Sequence, residues 1–190
     1  MRRISDNPPA RFPQRPIGAA EAPWFVAHVK PRQEKAEADD CLRLGVEYYL
    51  PLFTRVTRRK DNNKPRKSIL PLFPGYLSFA GTKETARALY ATGRIAHVIE
   101  IKNQKKFIGE LGQVYDLLEK GTPLEPCLIP YQSGDEVVIK NGPLRGIRGM
   151  IVSVKNQNRL LLSVEALGRA MATVDASTVL PIDKKDCMAL

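Results

Sequence analysis

The chain has 190 residues, with 30 Lys+Arg against 20 Asp+Glu and a formal net charge of +10. Hydrophobic residues make up 43% and charged residues 26%, ordinary for a globular protein and wrong for a disordered or collagen-like chain. At roughly 100–200 residues per domain, that length holds one domain or two small ones. No run approaches the ~18 apolar residues that cross a bilayer, and the basic N-terminus lacks the apolar stretch of a secretory signal. Cys41, Cys127 and Cys187 lie far apart, without the paired spacing of a zinc site. The expectation is a reduced, cytoplasmic protein with no metal, no cofactor and no membrane contact. The positive excess points to a polyanionic partner.

Residues 1–22 carry four prolines and four arginines with almost no apolar period, and read as a flexible tail. Trp24–Val29 follows as a strand apolar on both faces, which suits an inner strand covered on two sides. Pro31 opens a helix predicted to run to Leu44, with Gly45 as its stop and Ala38, Cys41, Leu42 and Gly45 on one stripe. Val46–Leu50 is the next strand. The segment Arg55–Lys67 then holds seven basic residues (Arg55, Arg58, Arg59, Lys60, Lys64, Arg66, Lys67) and one acid, Asp61. Its Asp61-Asn62-Asn63 centre is turn-forming, so it reads as a protruding basic β-hairpin or long loop. A net +6 in a +10 chain points to nucleic acid or an acidic partner, against the alternative of a loop that merely keeps the protein soluble.

Ser68–Phe79 ends in a half-buried strand, Lys83–Thr92 is a short helix, and Ile95–Ile101 a further strand. Asn103–Lys120 is the clearest helix, with Phe107, Ile108, Leu111, Val114, Tyr115 and Leu118 on one face. This order gives an α/β sandwich with helices on a mainly antiparallel sheet. Residues 121–130, with three prolines in ten, read as a linker. Beyond them the period switches to 2, over Asp135–Lys140, Ile147–Val154, Arg159–Glu165, Arg169–Val174 and Thr178–Leu180. Five short strands between Gly/Asn turns suggest a small barrel, whose closure removes open edges. The fold class is therefore α+β in two parts: tail 1–22, sandwich 23–120, linker 121–130, barrel 131–182 and a last tail 183–190.

Catalytic patterns are missing. His28 and His97 each lie in a strand without acidic or cysteine neighbours at ligand spacing, and a structural role is expected for both. Gly142-Pro-Leu-Arg-Gly146 lacks the Gly-Lys-Ser/Thr ending of a phosphate loop and sits between strands, so it reads as a turn. Two segments stand out. In Pro71-Leu-Phe-Pro-Gly-Tyr-Leu77, prolines and a glycine bracket Phe73 and Tyr76. Rigid aromatics so placed fill a core or serve as protein-binding anchors, and spacing alone favours core. In Gly134–Val152, glycines at 142, 146 and 149 punctuate two apolar strands, as turns and a bulge in a barrel would.

Gly134–Val152 closely resembles a KOW motif. Trp24, Glu34 and Phe73-Pro-Gly-Tyr76 resemble the N-terminal (NGN) domain of NusG-type transcription elongation factors. Lys30-Pro-Arg-Gln33, Pro71–Leu77 and Ser163–Arg169 look more like the specialised, RfaH-like and capsule-operon paralogues than the general factor. The resemblance implies a non-enzymatic, monomeric elongation and antitermination factor, operon-specialised and nucleoid-associated through RNA polymerase. Its NGN domain would dock on the clamp helices of the polymerase largest subunit through Leu72, Phe73, Pro74, Gly75 and Tyr76. Lys30, Arg32 and Gln33 would meet non-template DNA or upstream nucleic acid, joined by Arg58, Arg59, Lys60, Lys64, Arg66 and Lys67. An anion would be favoured at the helix N-terminus there. The KOW domain, turned at Gly142, Gly146 and Gly149, would recruit Rho or a small-subunit ribosomal protein. The alternatives are the general NusG acting with Rho, or a ribosome- and RNA-binding KOW module. Two departures stand: Thr85-Ala86-Arg87 replaces the His-Thr-Thr of RfaH-like members, and Thr92-Gly93-Arg94 permutes their Thr-Arg-Gly. No helical pattern in the barrel segment suggests fold switching.

Overall fold

A computed structural model describes residues 7–59, 63–127, 136–139, 145–154, 157–173 and 179–181. Ordered structure begins earlier than the composition suggested. Residues 7–22, read above as tail, carry strand β1 (Arg11–Phe12) and a 3-10 turn at Ile17–Ala19. The element β1 pairs antiparallel with β3 (Glu47–Tyr49), Arg11 opposite Tyr49. The Tyr48 hydroxyl donates to the Pro9 carbonyl at 2.7 Å, and Ile17 is only 1% exposed. Four prolines do not prevent docking here, because an edge strand needs few backbone donors.

The central strand β2 (Trp24–Val29) lies between β6 (Tyr76–Ala80) and β7 (Ile95–Glu100), antiparallel to both. With β3 and β1 these complete a five-stranded sheet ordered β1-β3-β6-β2-β7. The sheet separates two cores, as the strand period of two requires. On one face Phe25, Ala27, Val29, Tyr48, Leu77 and Phe79 pack against Ala38, Cys41 and Leu89. These last come from α1 (Glu34–Arg43) and α2 (Lys83–Tyr90). On the other face Trp24, Val26 and Tyr49 meet α3 (Gln104–Glu119) through Phe107, Leu111, Val114 and Leu117.

The first helix differs from expectation in a telling way. Arg32 has φ +64°, which breaks helical geometry, so α1 starts at Glu34 rather than Pro31. Its buried residues are Glu34, Glu37, Ala38, Asp40 and Cys41, while the expected Leu42 is 38% exposed. Three carboxylates thus lie among the buried positions of a helix expected to bury an apolar stripe. On α2, Leu89 is buried and Tyr90 exposed, and Asn103 caps α3 by accepting from the Lys106 N–H.

Strands β4 (Leu52–Arg58) and β5 (Pro65–Pro71) form a separate antiparallel ribbon. The C-terminal sheet is ordered β13-β9-β10-β11-β12-β8, from β9 (Glu136–Ile139), β10 (Arg148–Val154), β11 (Gln157–Val164), β12 (Gly168–Thr173) and β13 (Val179–Pro181). Its member β8 (Glu125–Pro126) comes from the expected linker and pairs with Met171 and Ala170 of β12. The fold is α+β, with antiparallel sheets and three helices among the described residues.

Candidate partner-binding surfaces

Pro71–Leu77 forms a tight corner between β5 and β6. Gly75 takes φ +85°, a conformation that glycine adopts without the strain a side chain would bring. Its N–H donates to Oε1 of Glu34 at 2.8 Å, and its carbonyl accepts from the Val29 N–H at 2.7 Å. The buried carboxylate at the start of α1 therefore holds the corner in place. Spacing alone could not reveal this, since the two residues are 41 positions apart.

Of the five residues expected to dock, Leu72 is 0% and Phe73 3% exposed. Pro74 is exposed, and Gly75 and Tyr76 are half-buried. The C-terminal sheet contributes to what covers them. A Cβ built on Gly168 would lie 3.8 Å from the Phe73 ring, and Phe73 shares one apolar cluster with Val164, Leu167 and Ala170. Two hydrogen bonds join this sheet to α3: the Arg148 N–H donates to Gln113 Oε1 (2.7 Å) and the Glu165 N–H to Glu110 Oε2 (2.8 Å). Beside the corner, the His28 ring lies between those of Tyr76 and His97, tilted to both, with ring centroids at 5.0 and 4.7 Å.

Lys30, Arg32 and Gln33 sit on the turn before α1, and Lys30 and Arg32 are exposed. Lys30 Nζ donates to the Gly93 carbonyl at 2.6 Å. Gln33 Oε1 accepts from Arg94 Nη1 at 3.0 Å, and Arg94 Nε donates to Asp40 Oδ2 at 2.7 Å. The permuted Thr92-Gly93-Arg94 thus lies beside Lys30 and Gln33. Burial raises the Asp40 pKa, but the hydrogen bonds from Arg94 and Arg43 outweigh that and hold the carboxyl below its usual range. Glu37 behaves oppositely: burial pushes it up to about 7, against the Thr92 hydroxyl that donates to it at 3.0 Å. Glu34 and Glu37 both lie in the first turn of α1, and the Glu34 carboxylate already faces the helix N-terminus that an external anion would share.

Arg58, Arg59, Lys64, Arg66 and Lys67 are all exposed on or beside the β4–β5 ribbon. Lys60 lies outside the described residues. Lys35 Nζ donates to the Ile69 carbonyl at 2.6 Å, tying α1 to the ribbon root. In the C-terminal sheet Gly146 has φ +86°, and its N–H donates to the Ile139 carbonyl at 2.8 Å. A Cβ on Gly149 would lie 2.6 Å from the Leu161 backbone oxygen, so only glycine fits there. Gly142 lies outside the described residues. Thr85, in the segment that departs from the RfaH-like pattern, completes a capping box with Thr82.

Burial drives the Cys41 thiol pKa far up, which leaves it unreactive. Among the described residues no group of three or more His, Cys, Asp or Glu is placed to hold a metal, and no helix is long and apolar enough to cross a membrane. Sequence reasoning missed Arg11, which is 3% exposed with its guanidinium 5.0 Å from the Trp24 ring centroid. It also pairs with Glu47, which accepts from Arg15 as well.

No curated protein matches the chain. Among solved structures, one described as domain interaction in Thermotoga maritima NusG aligns at 16% identity and TM-score 0.44, covering 85% of this chain and 97% of that one. An MjSpt4:Spt5 complex aligns at 16% identity and TM-score 0.26, with the same coverage. The family model for transcription termination factor NusG matches residues 22–130, more than half of the chain, and the protein therefore belongs to the NusG family.

Proposed function

We propose that this NusG-family protein is a non-enzymatic elongation and antitermination factor that docks on the clamp helices of RNA polymerase through Leu72–Tyr76. Residues 23–120 act as the docking domain and 131–182 as the KOW domain, which recruits a ribosomal protein or Rho; the factor is operon-specialised. Family membership over 22–130 carries this reading, because that span contains the Glu34-anchored corner. Rigid, buried aromatics on a fixed turn suit a protein-binding anchor as well as a core. Here they do both in turn. With Phe73 buried against the C-terminal sheet, docking requires that sheet to move aside, and polymerase then selects the open population.

Retention of the full chain on immobilised core RNA polymerase is the direct test. Glu110→Ala with Gln113→Ala removes the two side-chain oxygen acceptors, one carboxylate and one amide, that hold the C-terminal sheet on α3, and is expected to raise retention roughly 5- to 30-fold, the effect of 1–2 kcal/mol on a closed–open equilibrium. Absence of retention for both the parent and the released variant would sink the docking role. Equal retention of the two would sink the covering role alone.

A further inference from the structure

We propose that the β4–β5 ribbon binds duplex DNA by standing end-on in the major groove, without reading its sequence. The inference rests on the reading of this chain as a transcription factor that works beside DNA, and it selects one nucleic acid among those that charge alone allows.

The ribbon's register distributes its cations over both faces. Arg55 pairs with Ser68 and Thr57 with Arg66, while Val56 pairs with Lys67 and Arg58 with Pro65. Cross-strand partners share a face, so Arg55 and Arg66 lie on one side and Arg58 and Lys67 on the other. Arg59 and Lys64 extend the charge toward the tip, where the Arg59 N–H bonds the Lys64 carbonyl at 3.0 Å. The described ribbon contains no acidic residue. Among the described residues, none forms an ion pair with Arg55, Arg58, Arg59 or Lys67. A ribbon serving only solubility needs no such arrangement. One lying flat on a surface would place cations on a single face.

Dimensions and composition choose among polyanions. A seven-residue strand spans about 23 Å, and the exposed four-pair outer half about 13 Å. The major groove of B-form DNA, about 12 Å wide and 8.5 Å deep, admits a two-stranded ribbon. Inserted end-on, each cationic face looks at one phosphate wall. The major groove of duplex RNA is deep and narrow and excludes such an element. Single strands are held chiefly by stacking on aromatic side chains, and between Thr54 and Ser68 the described ribbon has none. With its arginines and lysines turned toward the walls rather than the floor, the ribbon meets phosphates, contacts that fix position and carry no sequence information; threonine, valine, proline and Asn63 complete its described side chains between Thr54 and Ser68.

The test is fluorescence anisotropy of the full chain with a labelled 20-base-pair DNA duplex, the single strand of the same sequence, and the matching RNA duplex, each across a salt series. Duplex DNA is expected to bind tightest and without preference between two unrelated sequences. Replacing Arg55, Arg58, Arg59 and Lys67 together by glutamine should lower the slope of log K against log salt by about 3–4 and weaken binding roughly 100-fold. Equal or tighter binding of the single strand or of duplex RNA overturns the proposal, as does a quadruple variant with unchanged slope. Failure of all three nucleic acids also overturns it and transfers the ribbon to an acidic protein partner. The same quadruple variant is applied to immobilised polymerase in the absence of DNA. Retention there, with DNA binding lost, separates failure of the ribbon from failure of the transcription reading.

Discussion

Two arginine-rich segments of this chain reach opposite ends. The N-terminal arm, residues 7–22, buries Arg11 against Trp24 and pairs it, together with Arg15, with Glu47. The ribbon at 52–71 leaves Arg55, Arg58, Arg59 and Lys67 in solvent. Composition treats the segments alike, as basic, proline-containing and weakly periodic. What separates them is an acid elsewhere in the chain. Glu47 sits on the neighbouring strand β3, where it accepts from both arm arginines, while the ribbon root receives only a lysine, Lys35. A buried cation needs a partner anion to offset its desolvation, and an exposed one remains available to an external polyanion.

The largest expected effect comes from breaking the arm's side of this comparison. Glu47→Ala leaves the Arg11 side chain, 1% exposed, as an unpaired buried charge. Loss of about 3–5 kcal/mol of unfolding free energy is expected in urea denaturation. Burial raises the Glu47 pKa, but hydrogen bonds from Arg15 and Arg11 hold it below its usual range. A depressed carboxylate contributes stability above its unfolded pKa and loses it as pH falls through the folded value. The parent's advantage over the variant should therefore shrink below about pH 4. A loss under 1 kcal/mol at pH 7 would show that the arm is held by Ile17 and β1 alone.

This result bears on what was legible beforehand. The strand at 24–29, the helix at 103–120 and the basic hairpin follow from local patterns, and each stands within a few residues of its expected place. The arm does not follow, because its signal is a pairing across 36 residues between Arg11 and Glu47. The family match also begins only at residue 22, so all of the arm before Ala22 lies outside it. At the candidate site, Phe73-Pro-Gly-Tyr76 was visible as a rigid corner, but its anchor in Glu34 and its cover near Gly168 are contacts at long range. The stripe of α1 misled for a related reason: a period cannot tell a buried carboxylate with a backbone partner from an exposed one.

Glu37 sharpens the comparison from the anionic side. It is buried beside Asp40, which repels it, while Arg94 spends its direct hydrogen bonds on Asp40 and Gln33. Without a cation of its own it holds its proton up to about pH 7. The folded state then binds one more proton than the unfolded chain between about pH 4.5 and 7, so this contribution to stability falls as pH rises through that window. Glu37→Gln should flatten the window and stabilise the protein at pH 8 by about 1–3 kcal/mol, solvent screening included. Thermal unfolding at pH 5 and pH 8 reads it. A variant whose stability keeps the parent's slope would place the proton elsewhere.

The ribbon supplies the smallest expected change in stability. Glutamine at Arg55 or Arg58 removes no ion pair among the described residues and opens no cavity, so unfolding free energy should move by less than about 0.5 kcal/mol. Like charges crowd this ribbon, with six cations among its described residues, and their mutual repulsion makes a small gain as natural as a small loss. If the ribbon arginines act outward, their replacement leaves the denaturation midpoint in place and moves only the salt dependence of DNA binding. A destabilisation above 1 kcal/mol would give Arg55 or Arg58 an internal partner and erase the contrast with Arg11. Stability measured on the ribbon and affinity measured on the arm are thus the two quantities expected to stay still, and each is the control for the other.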